Sequence, residues 1–456
     1  MSDTLMISVS GMRGLVGKDL TPELVARHAA ALGAWARARG RPRVVLGRDA
    51  RTSGPMFTHA ATAGLMSVGA DVIDVGMVPT PTVQLAVEYH EAGAGLILTA
   101  SHNPIEWNAL KFVGPDGIFL DGEAGTAVRG LAESGPERAG WDGIGRVSED
   151  PEAIDRHLAQ ILALPQIDPD AIRSRGFHVA LDCVRGAGGT TIPRLLDLLG
   201  CRVSGINLET DGRFPRAPEP LPENLGELSR LVRTSGADLG FAVDPDVDRL
   251  AVVDGAGTPI GEDYTLALAV RAMLADGGQR PADTPVVVAN LSTSLVVEDA
   301  TRECGGRFVR APVGEANVAR SIVAEGAILG GEGNGGVILP SLHVGRDAPV
   351  GVALILHLLA RTGRSVSQVV AAAPRYQIVK AKGPRGKDLR PVYSALRKQF
   401  PEAAADERDG LRLAWPDRWV HLRPSGTEPI IRFIAEAPTR TDAERLVEAC
   451  QQLLQT

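Results

Sequence analysis

The sequence predicts an α/β protein of several units, closed by a smaller α+β unit. Three observations predict it. The chain has 456 residues, more than one hydrophobic core comfortably serves. Short apolar runs alternate with amphipathic, helix-like stretches along most of its length, the pattern of mainly parallel sheets covered by helices. The final stretch breaks that rhythm, with several strand-like runs before one closing helix.

Taken in order, "PRVVLGRD" (42–49) reads as a buried strand and is followed by a Gly/Ala-rich helical stretch. "DVIDVG" (71–76), another helical stretch and "AGLILTASHNP" (94–104) complete a first unit, placed at 1–145. The turn-rich "SGPERAGWDGIGRVSED" (134–150) separates it from a second unit at 150–255, which opens with the helical "PEAIDRHLAQIL". There the rhythm returns as "FHVALDCV" followed by "TIPRLLDLLG". After "VVDGAGTPIGED" (252–263) a third unit, 256–370, repeats it with "TPVVVANL" and "LVVEDATREC". "APRYQIVKAKGPRGK" (373–387) leads into the last unit, 374–456, built from "GLRLAW", "RWVHLRPSGTEPIIRFIAEA" and the helix "DAERLVEACQQLL".

Composition narrows the function classes. Net charge is -7, which argues against a basic nucleic-acid-binding surface but leaves room for a local cationic pocket. Cys183, Cys201, Cys304 and Cys450 form no CxxC pair and read as reduced thiols of a cytoplasmic protein. The N-terminal stretch does not read as a secretory signal, and no run approaches the ~20 apolar residues of a membrane span. Aromatics make up 4% of the chain, so a small-molecule site would rest on hydrogen bonds and charge rather than ring stacking.

Four short segments carry chemistry. In "TASHNP" (99–104) a buried strand ends in a polar cluster, and Pro104 pushes Asn103 toward extended geometry. Ser101 there suits a nucleophile, a phosphate carrier or a turn former; the G-x-S-x-G elbow of a hydrolase is missing. His102 is adjacent, Lys111 follows ten residues later, and Arg13 in "SGMRG" offers a further cation. In "DPDVDR" (244–249), Asp244, Asp246 and Asp248 alternate between two apolar runs, a cluster that repels itself unless a cation neutralises it. The EF-hand pattern fails there, because Arg249 replaces the glycine and Gly255 the glutamate. Hard oxygen ligands suit Mg²⁺ or Ca²⁺, and the competing reading is a solvated acidic turn.

"GGEGNGGVILP" (330–340) contains a formal G-x-G-x-x-G, but Pro340 follows and no helix does, so it is not a dinucleotide fingerprint. It reads instead as a loop presenting Glu332, Gly333 and Asn334 to hydroxyl groups. "GPRGK" (383–387) lacks the spacing and the hydroxyl of a Walker A loop. "RPSGTEPIIR" (423–432) combines Arg423 and Arg432 with Ser425, Gly426 and Thr427, a set suited to a phosphate monoester or, more plainly, a turn.

With these four motifs in this order, the chain resembles the α-D-phosphohexomutases, the family of phosphoglucomutase, phosphomannomutase and phosphoglucosamine mutase. The resemblance spans essentially the whole chain. It implies four domains around a central cleft, three of them mixed-sheet α/β and the last α+β and closing over the substrate. It also implies a phosphorylated Ser101, and Mg²⁺ held by Asp244, Asp246, Asp248 and an oxygen of the phosphoserine. Arg13 and Arg249 would flank the transferred phosphoryl group, with His102 beside the serine and Lys111 as general acid/base. Glu332, Asn334 and, from "PVGEANV" (312–318), Gly314 would contact the sugar. Arg423, Ser425, Gly426, Thr427 and Arg432 would clamp the idle phosphate. The implied reaction interconverts 6- and 1-phosphates through a hexose 1,6-bisphosphate, with a phosphosugar as the partner molecule and neither nucleic acid nor membrane. A monomer or homodimer is expected. "SVSGMRG" and the Asn334-Gly335-Gly336 ending resemble phosphoglucosamine mutases of archaeal and some bacterial type, with mannose or glucose phosphate as the alternative substrates. A non-catalytic phosphosugar-binding regulator and a metal-dependent phosphatase are the competing classes; no residue is missing as the first would require, and the clustered histidines usual in the second are absent.

Two departures stand out. Many relatives end the sugar loop in S-G-H, whereas this chain has Asn334-Gly335-Gly336, so the histidine contact is either absent or supplied from elsewhere, with His343 as one source. Ala311 stands where threonine is frequent.

Overall fold

The computed structural model describes residues 5–8, 11–274, 284–384, 388–425 and 430–455. Four sheets follow one another along the chain. The first comprises β1 (Met6–Ser8), β2 (Gly11–Leu15), β3 (Arg43–Arg48), β4 (Asp71–Met77), β5 (Ala94–Leu98), β6 (Trp107–Val113) and β7 (Val147–Glu149). Their order is β1-β2-β6-β5-β3-β4-β7. β5, β3, β4 and β7 run parallel, and β6, β2 and β1 extend the edge antiparallel. Every residue of β5 is buried, as its unbroken apolar run requires of a strand covered on both faces. β7 lies in the turn-rich stretch read as a connection; its three residues are all exposed, so no apolar pattern marks the strand.

The second sheet holds β8 (His178–Asp182), β9 (Arg202–Ile206), β10 (Leu239–Val243) and β11 (Leu250–Asp254), ordered β11-β10-β8-β9. The third holds β12 (Val286–Asn290), β13 (Arg307–Ala311), β14 (Leu329–Glu332) and β15 (Gly336–Ile338), ordered β13-β12-β14-β15. The two share one design, a parallel core with an antiparallel hairpin at one edge. The β10–β11 turn carries the three aspartates, and the β14–β15 turn carries Gly333, Asn334 and Gly335.

One continuous apolar core joins these two sheets. Through it runs the helix Ala348–Thr362, buried from Ala348 to Leu359 and apolar nearly all round, as a helix enclosed by protein should be. The four cysteines are unpaired, and among the described residues no helix is long and apolar enough to cross a membrane.

The fourth sheet is wholly antiparallel: β16 (Gln377–Pro384), β17 (Ala404–Asp406), β18 (Leu411–Ala414), β19 (Trp419–Pro424) and β20 (Ile430–Ala437), ordered β16-β20-β19-β18-β17. β16 occupies the stretch read as a lead-in. Its residues are exposed or half-buried, and as an edge strand it tolerates the Gly383-Pro384 ending that made it look like a turn.

This last unit is fastened to the third through a buried acid. Glu436 on β20 accepts hydrogen bonds from the Leu295 backbone N–H (2.8 Å), from Trp419 Nε1 (2.6 Å) and from Ser294 Oγ. Ser294 also caps the helix Leu295–Glu303, so a carboxylate from one unit completes the helix N-terminus of another. Beneath it, Asp263 Oδ1 accepts from the Ser294 N–H at 2.8 Å. Burial, aided by Glu436 and Glu262 and opposed by the Ser294 hydrogen bond and Lys380, pushes the Asp263 carboxyl up to about 8. An acid raised in the folded state binds a proton that the unfolded chain releases, so its contribution to stability is complete below its ordinary range and is lost as pH rises toward 8. The thermal midpoint of the wild type should therefore fall between pH 5 and 8 relative to that of Asp263→Asn. At its steepest the difference corresponds to about 1.4 kcal/mol per pH unit. Parallel midpoint curves would show that Asp263 is ionised throughout.

Candidate active site

The serine loop leaves the C-terminal end of β5, where open α/β sheets place their functional loops. Arg51, fully buried, organises it. Its Nη1 donates to the carbonyls of Pro104 (2.7 Å) and Trp107 (2.8 Å), and its Nη2 to those of Ser101 and Asn103 (both 2.7 Å). Its Nε donates to Asp49 Oδ2 at 3.0 Å. The same oxygen accepts from Thr99 Oγ1 (2.6 Å), which in turn accepts from the Ser101 N–H (2.9 Å). Held in this way, Ser101 adopts φ +48°, a left-handed conformation uncommon outside glycine. Its Oγ donates to Asp244 Oδ2 at 2.8 Å. A hydroxyl and an acidic triplet separated by more than a hundred residues therefore meet.

Across from the serine, the β10–β11 turn places oxygens of Asp244, Asp246 and Asp248 within 4.8 Å of one another, all buried. Val247, fully buried at φ +63°, takes a conformation that β-branched residues avoid and lets its two acidic neighbours share one side. Asp244 Oδ1 accepts from the backbone N–H groups of Asp248 (3.2 Å) and Arg249 (3.1 Å). Thr80, opening the helix Thr80–Tyr89, donates its N–H to the Asp246 carbonyl (2.9 Å) and its hydroxyl to Asp246 Oδ2 (2.8 Å). Lys111 Nζ lies 2.6 Å from Asp246 Oδ2 and 3.5 Å from Asp248 Oδ2. Asp246 Oδ1 and Asp248 Oδ1 are buried and meet no hydrogen-bond donor. Two such oxygens beside a third carboxylate fit a hard divalent cation.

The charges respond to this crowding. Burial, then the proximity of Asp248 and Asp246, pushes the Asp244 carboxyl well up. Burial would raise Asp246 too, but the Lys111 charge and hydrogen bonds from Asp244, Lys111 and Thr80 hold it well below the carboxylate range. Burial would lower Lys111, yet Asp246, Asp248 and Glu315 outweigh it and keep the ammonium charged. Burial, reinforced by Arg249 and Arg13, keeps His102 well below its ordinary value and so neutral. Its Nδ1 is 3.4 Å from Ser101 Oγ. Arg13, on β2, donates to Asn103 Oδ1 (2.6 Å), and Arg249 donates to Glu219 Oε1 (2.8 Å) while its buried Nε lies 3.8 Å from Asp248 Oδ1, an ion pair too long for a hydrogen bond.

Of the remaining expected residues, Glu332, Gly314 and Arg423 are joined to this centre by a series of hydrogen bonds, whereas Asn334, Ser425 and Arg432 make local ones. Glu332 Oε1 accepts from Asn290 Nδ2 (2.8 Å) and the Gly314 N–H (3.1 Å), and Glu332 Oε2 from Arg346 Nη1 (2.9 Å). Arg346 also reaches Asp248 Oδ2 at 2.6 Å. Asn334 turns its oxygen to the Gly336 N–H (3.3 Å). Gly333 has no room for a side chain: a Cβ there would lie 2.1 Å from Asp263 Oδ1. Arg423 donates to Asp409 Oδ2 (2.9 Å), and that oxygen also accepts from the Val313 N–H (3.1 Å), next to Gly314. Arg432 Nε is 3.4 Å from Ser425 Oγ. His421, pushed down to about 4 chiefly by burial, connects Ser292 Oγ (2.8 Å) to the Asp409 carbonyl (2.6 Å). Gly426 and Thr427 lie outside the described residues.

His343, the imidazole left as a source by the Asn334-Gly335-Gly336 ending, is buried with its Nε2 on Asp347 Oδ2 at 3.0 Å. The space of a residue-336 side chain is taken by Arg346 instead, whose Cδ would lie 2.3 Å from a Cβ there. Arg51, Thr80, Glu315, Arg346, Asp409 and His421 were not singled out from sequence. "GRDARTSG" (47–54) held a signal for Arg51, a dense charge cluster directly after a buried strand.

Four consecutive domains of the phosphoglucomutase/phosphomannomutase family match: alpha/beta/alpha domain I at residues 5–139, domain II at 155–257, domain III at 261–376 and the C-terminal domain at 379–452. The chain belongs to the phosphoglucomutase/phosphomannomutase family. It is thus a phosphohexomutase, an isomerase with the four-domain α/β architecture of that family. It is 38% identical to a probable phosphoglucosamine mutase of Methanopyrus kandleri, over 96% of this chain and 95% of the relative. It is 36% identical to a phosphoglucomutase/phosphomannomutase of Thermococcus kodakarensis, over 98% and 97%. The crystal structure of a family protein from Burkholderia thailandensis superposes with a TM-score of 0.85 at 27% identity, covering 98% of each chain.

In this phosphohexomutase the Arg51 fork sets the shape of the serine loop. Arg51→Lys keeps the charge but cannot reach four carbonyls at once. It should lower unfolding free energy by about 2–4 kcal/mol in urea titration and expose the 101–107 segment to limited proteolysis. Unchanged stability and protection would show that the loop holds its own shape.

Proposed function

We propose that the protein interconverts the 6- and 1-phosphates of a hexosamine, with glucosamine phosphate as substrate and Ser101 as phosphoryl carrier. The observation that carries this reading is the approach of Ser101 Oγ to Asp244 Oδ2, 2.8 Å, beside two buried carboxylate oxygens without donors. A serine intended only as a turn former has no reason to face an acidic triplet from another unit.

The chemistry follows from the residues. A phosphorylated Ser101 gives its phosphoryl group to a free hydroxyl of the bound hexosamine monophosphate. The serine P–O bond breaks, a sugar P–O bond forms, and a 1,6-bisphosphate results. The proton released by the attacking hydroxyl must in balance reach Ser101 Oγ. Lys111, held charged against Asp246 and Asp248, is the proposed general acid/base for this proton, and neutral His102 stands 3.4 Å from the leaving Oγ. After the bisphosphate turns over, its other phosphate returns to Ser101 by the reverse exchange. Such transfers depend on in-line positioning and charge neutralisation. Asp244, Asp246 and Asp248 would hold Mg²⁺ together with a phosphoserine oxygen; when bound, it supplies positive charge to the phosphoryl oxygens. Arg13 and Arg249 flank the same space. Glu332 and Asn334 read sugar hydroxyls, and Arg423, Ser425 and Arg432, with Gly426 and Thr427, grip the idle phosphate.

The names of relatives support the substrate. The Methanopyrus relative is called a probable phosphoglucosamine mutase, as is one from Pyrococcus abyssi at 34% identity. The Thermococcus relative supports a second reading, phosphomannomutase/phosphoglucomutase.

Intact-mass analysis of freshly purified protein should show one phosphoryl adduct, which Ser101→Ala lacks. An adduct that survives this substitution, or a Ser101→Ala protein that turns over, would remove the carrier. A second measurement separates the sugars: rates with glucosamine 6-phosphate, mannose 1-phosphate and glucose 1-phosphate, each with Mg²⁺ and a 1,6-bisphosphate activator. The glucosamine substrate should give the highest kcat/KM; a higher value with mannose or glucose phosphate would establish the second reading.

A further inference from the structure

We infer that Arg346 is a positioning residue for the reaction, fixing the acidic turn, the 314–315 turn and the Gly-rich hairpin in one register. It stands between β15 and the helix Ala348–Thr362, where Asp347 caps that helix through the Val350 N–H (2.9 Å) and donates its own N–H to the Val337 carbonyl (2.8 Å). From this fixed backbone the buried guanidinium reaches three carboxylates distant in sequence. Its Nε donates to Glu315 Oε2 (3.0 Å), Nη1 to Glu332 Oε2 (2.9 Å) and Nη2 to Asp248 Oδ2 (2.6 Å). The Arg346 backbone N–H adds a bond to Glu315 Oε1 (3.1 Å).

A second observation ties the arginine to a particular glycine. A Cβ at Gly336 would lie 2.3 Å from Arg346 Cδ and 3.0 Å from Cγ. The obstacle is the middle of a side chain whose far end is held at three points, so it cannot swing aside cheaply. Gly336 is not among the residues with positive φ, so with the arginine gone its backbone would accept a side chain, whose Cβ would then meet Asn334 Oδ1, the end of a side chain, at 3.2 Å. Gly336 and Arg346 are therefore a matched pair. If Arg346 served only to neutralise acids, lysine would replace it and alanine at 336 would be tolerated. A planar fork serving three carboxylates is what a lysine cannot reproduce.

The inference rests on the proposed role of the cleft, and a double-mutant cycle tests it separately from that role. Arg346→Lys, Arg346→Ala, Gly336→Ala and the Gly336→Ala/Arg346→Ala double variant are compared for KM, kcat, melting temperature and Mn²⁺ binding by EPR titration. Arg346→Lys and Gly336→Ala should each raise KM by about tenfold while the protein still melts cooperatively, and the double variant should be no worse than Arg346→Ala. Arg346→Ala should weaken Mn²⁺ binding by about tenfold, because Asp248 loses the partner that orients it. If Arg346→Ala does not fold, Arg346→Lys and Gly336→Ala carry the decision. Wild-type KM and Mn²⁺ affinity in Arg346→Lys, or strictly additive effects in the cycle, would overturn the inference and leave the Ser101 reading untouched. Turnover by Ser101→Ala would overturn that reading and leave the cycle interpretable.

Discussion

Burying Asp244, Asp246 and Asp248 on one turn sets a charge problem that much of the surrounding structure is arranged to meet. Three carboxylates this close repel one another, and in a dry setting none is solvated. The neighbours compensate from several directions. Lys111 comes from β6, Arg346 from the turn before a buried helix, and Thr80 from the exposed-donor end of its own helix. Even so, Asp246 Oδ1 and Asp248 Oδ1 accept no hydrogen bond, the latter having only Arg249 Nε at 3.8 Å, and Asp244 is pushed toward its protonated form. Buried carboxylate oxygens that accept no hydrogen bond after these partners have been recruited are suited to ligate a cation.

The fold delivers these groups economically. In the second and third sheets the functional turn is the loop of an antiparallel hairpin at the sheet edge, so its residues project beyond a core that fixes both strands. In the first sheet the serine loop follows a completely buried strand and is held from outside by one arginine. From Arg423 a series of bonds runs through Asp409, Val313–Gly314, Glu332 and Arg346 to Asp248. The site at the fourth sheet is in this way mechanically joined to the acidic turn.

What the sequence made legible was local. The strand runs, the loops that end them and the four motifs could be read because the alternation of apolar and polar residues, and clusters of unusual chemistry, are visible within ten residues. The edge strands β7 and β16 were not, since exposed edges leave no apolar signature. Arg51 and Arg346 escaped for a different reason. Each matters through partners fifty or more residues away, Arg51 through the carbonyls after Ala100 and Arg346 through Asp248. An arginine that binds carbonyls or distant carboxylates looks, in sequence, like any surface arginine. The glycine at 336 was visible as a departure, but its cause is a side chain ten residues on.

Strain on both sides of the meeting point completes the physical picture. Ser101 and Val247 both hold positive φ without being glycine, one on each of the two loops that face each other. Conformations of this kind cost on the order of 1–3 kcal/mol each and persist only where surrounding contacts overdetermine them. For Ser101 those contacts are the Arg51 fork and the Thr99–Asp49 pair. For Val247 they are its bonds to Asp244 and Ala348, with Thr80 fixing the adjacent residue from the first sheet's side. The serine loop is held from within its own unit, but the acidic turn would not keep its shape in isolation, because Thr80 and Lys111, which restrain it, come from the unit that carries the serine. The packing of the first unit against the second is thus a condition of the geometry itself, since it holds Ser101 Oγ and the aspartates at hydrogen-bonding distance before any substrate arrives.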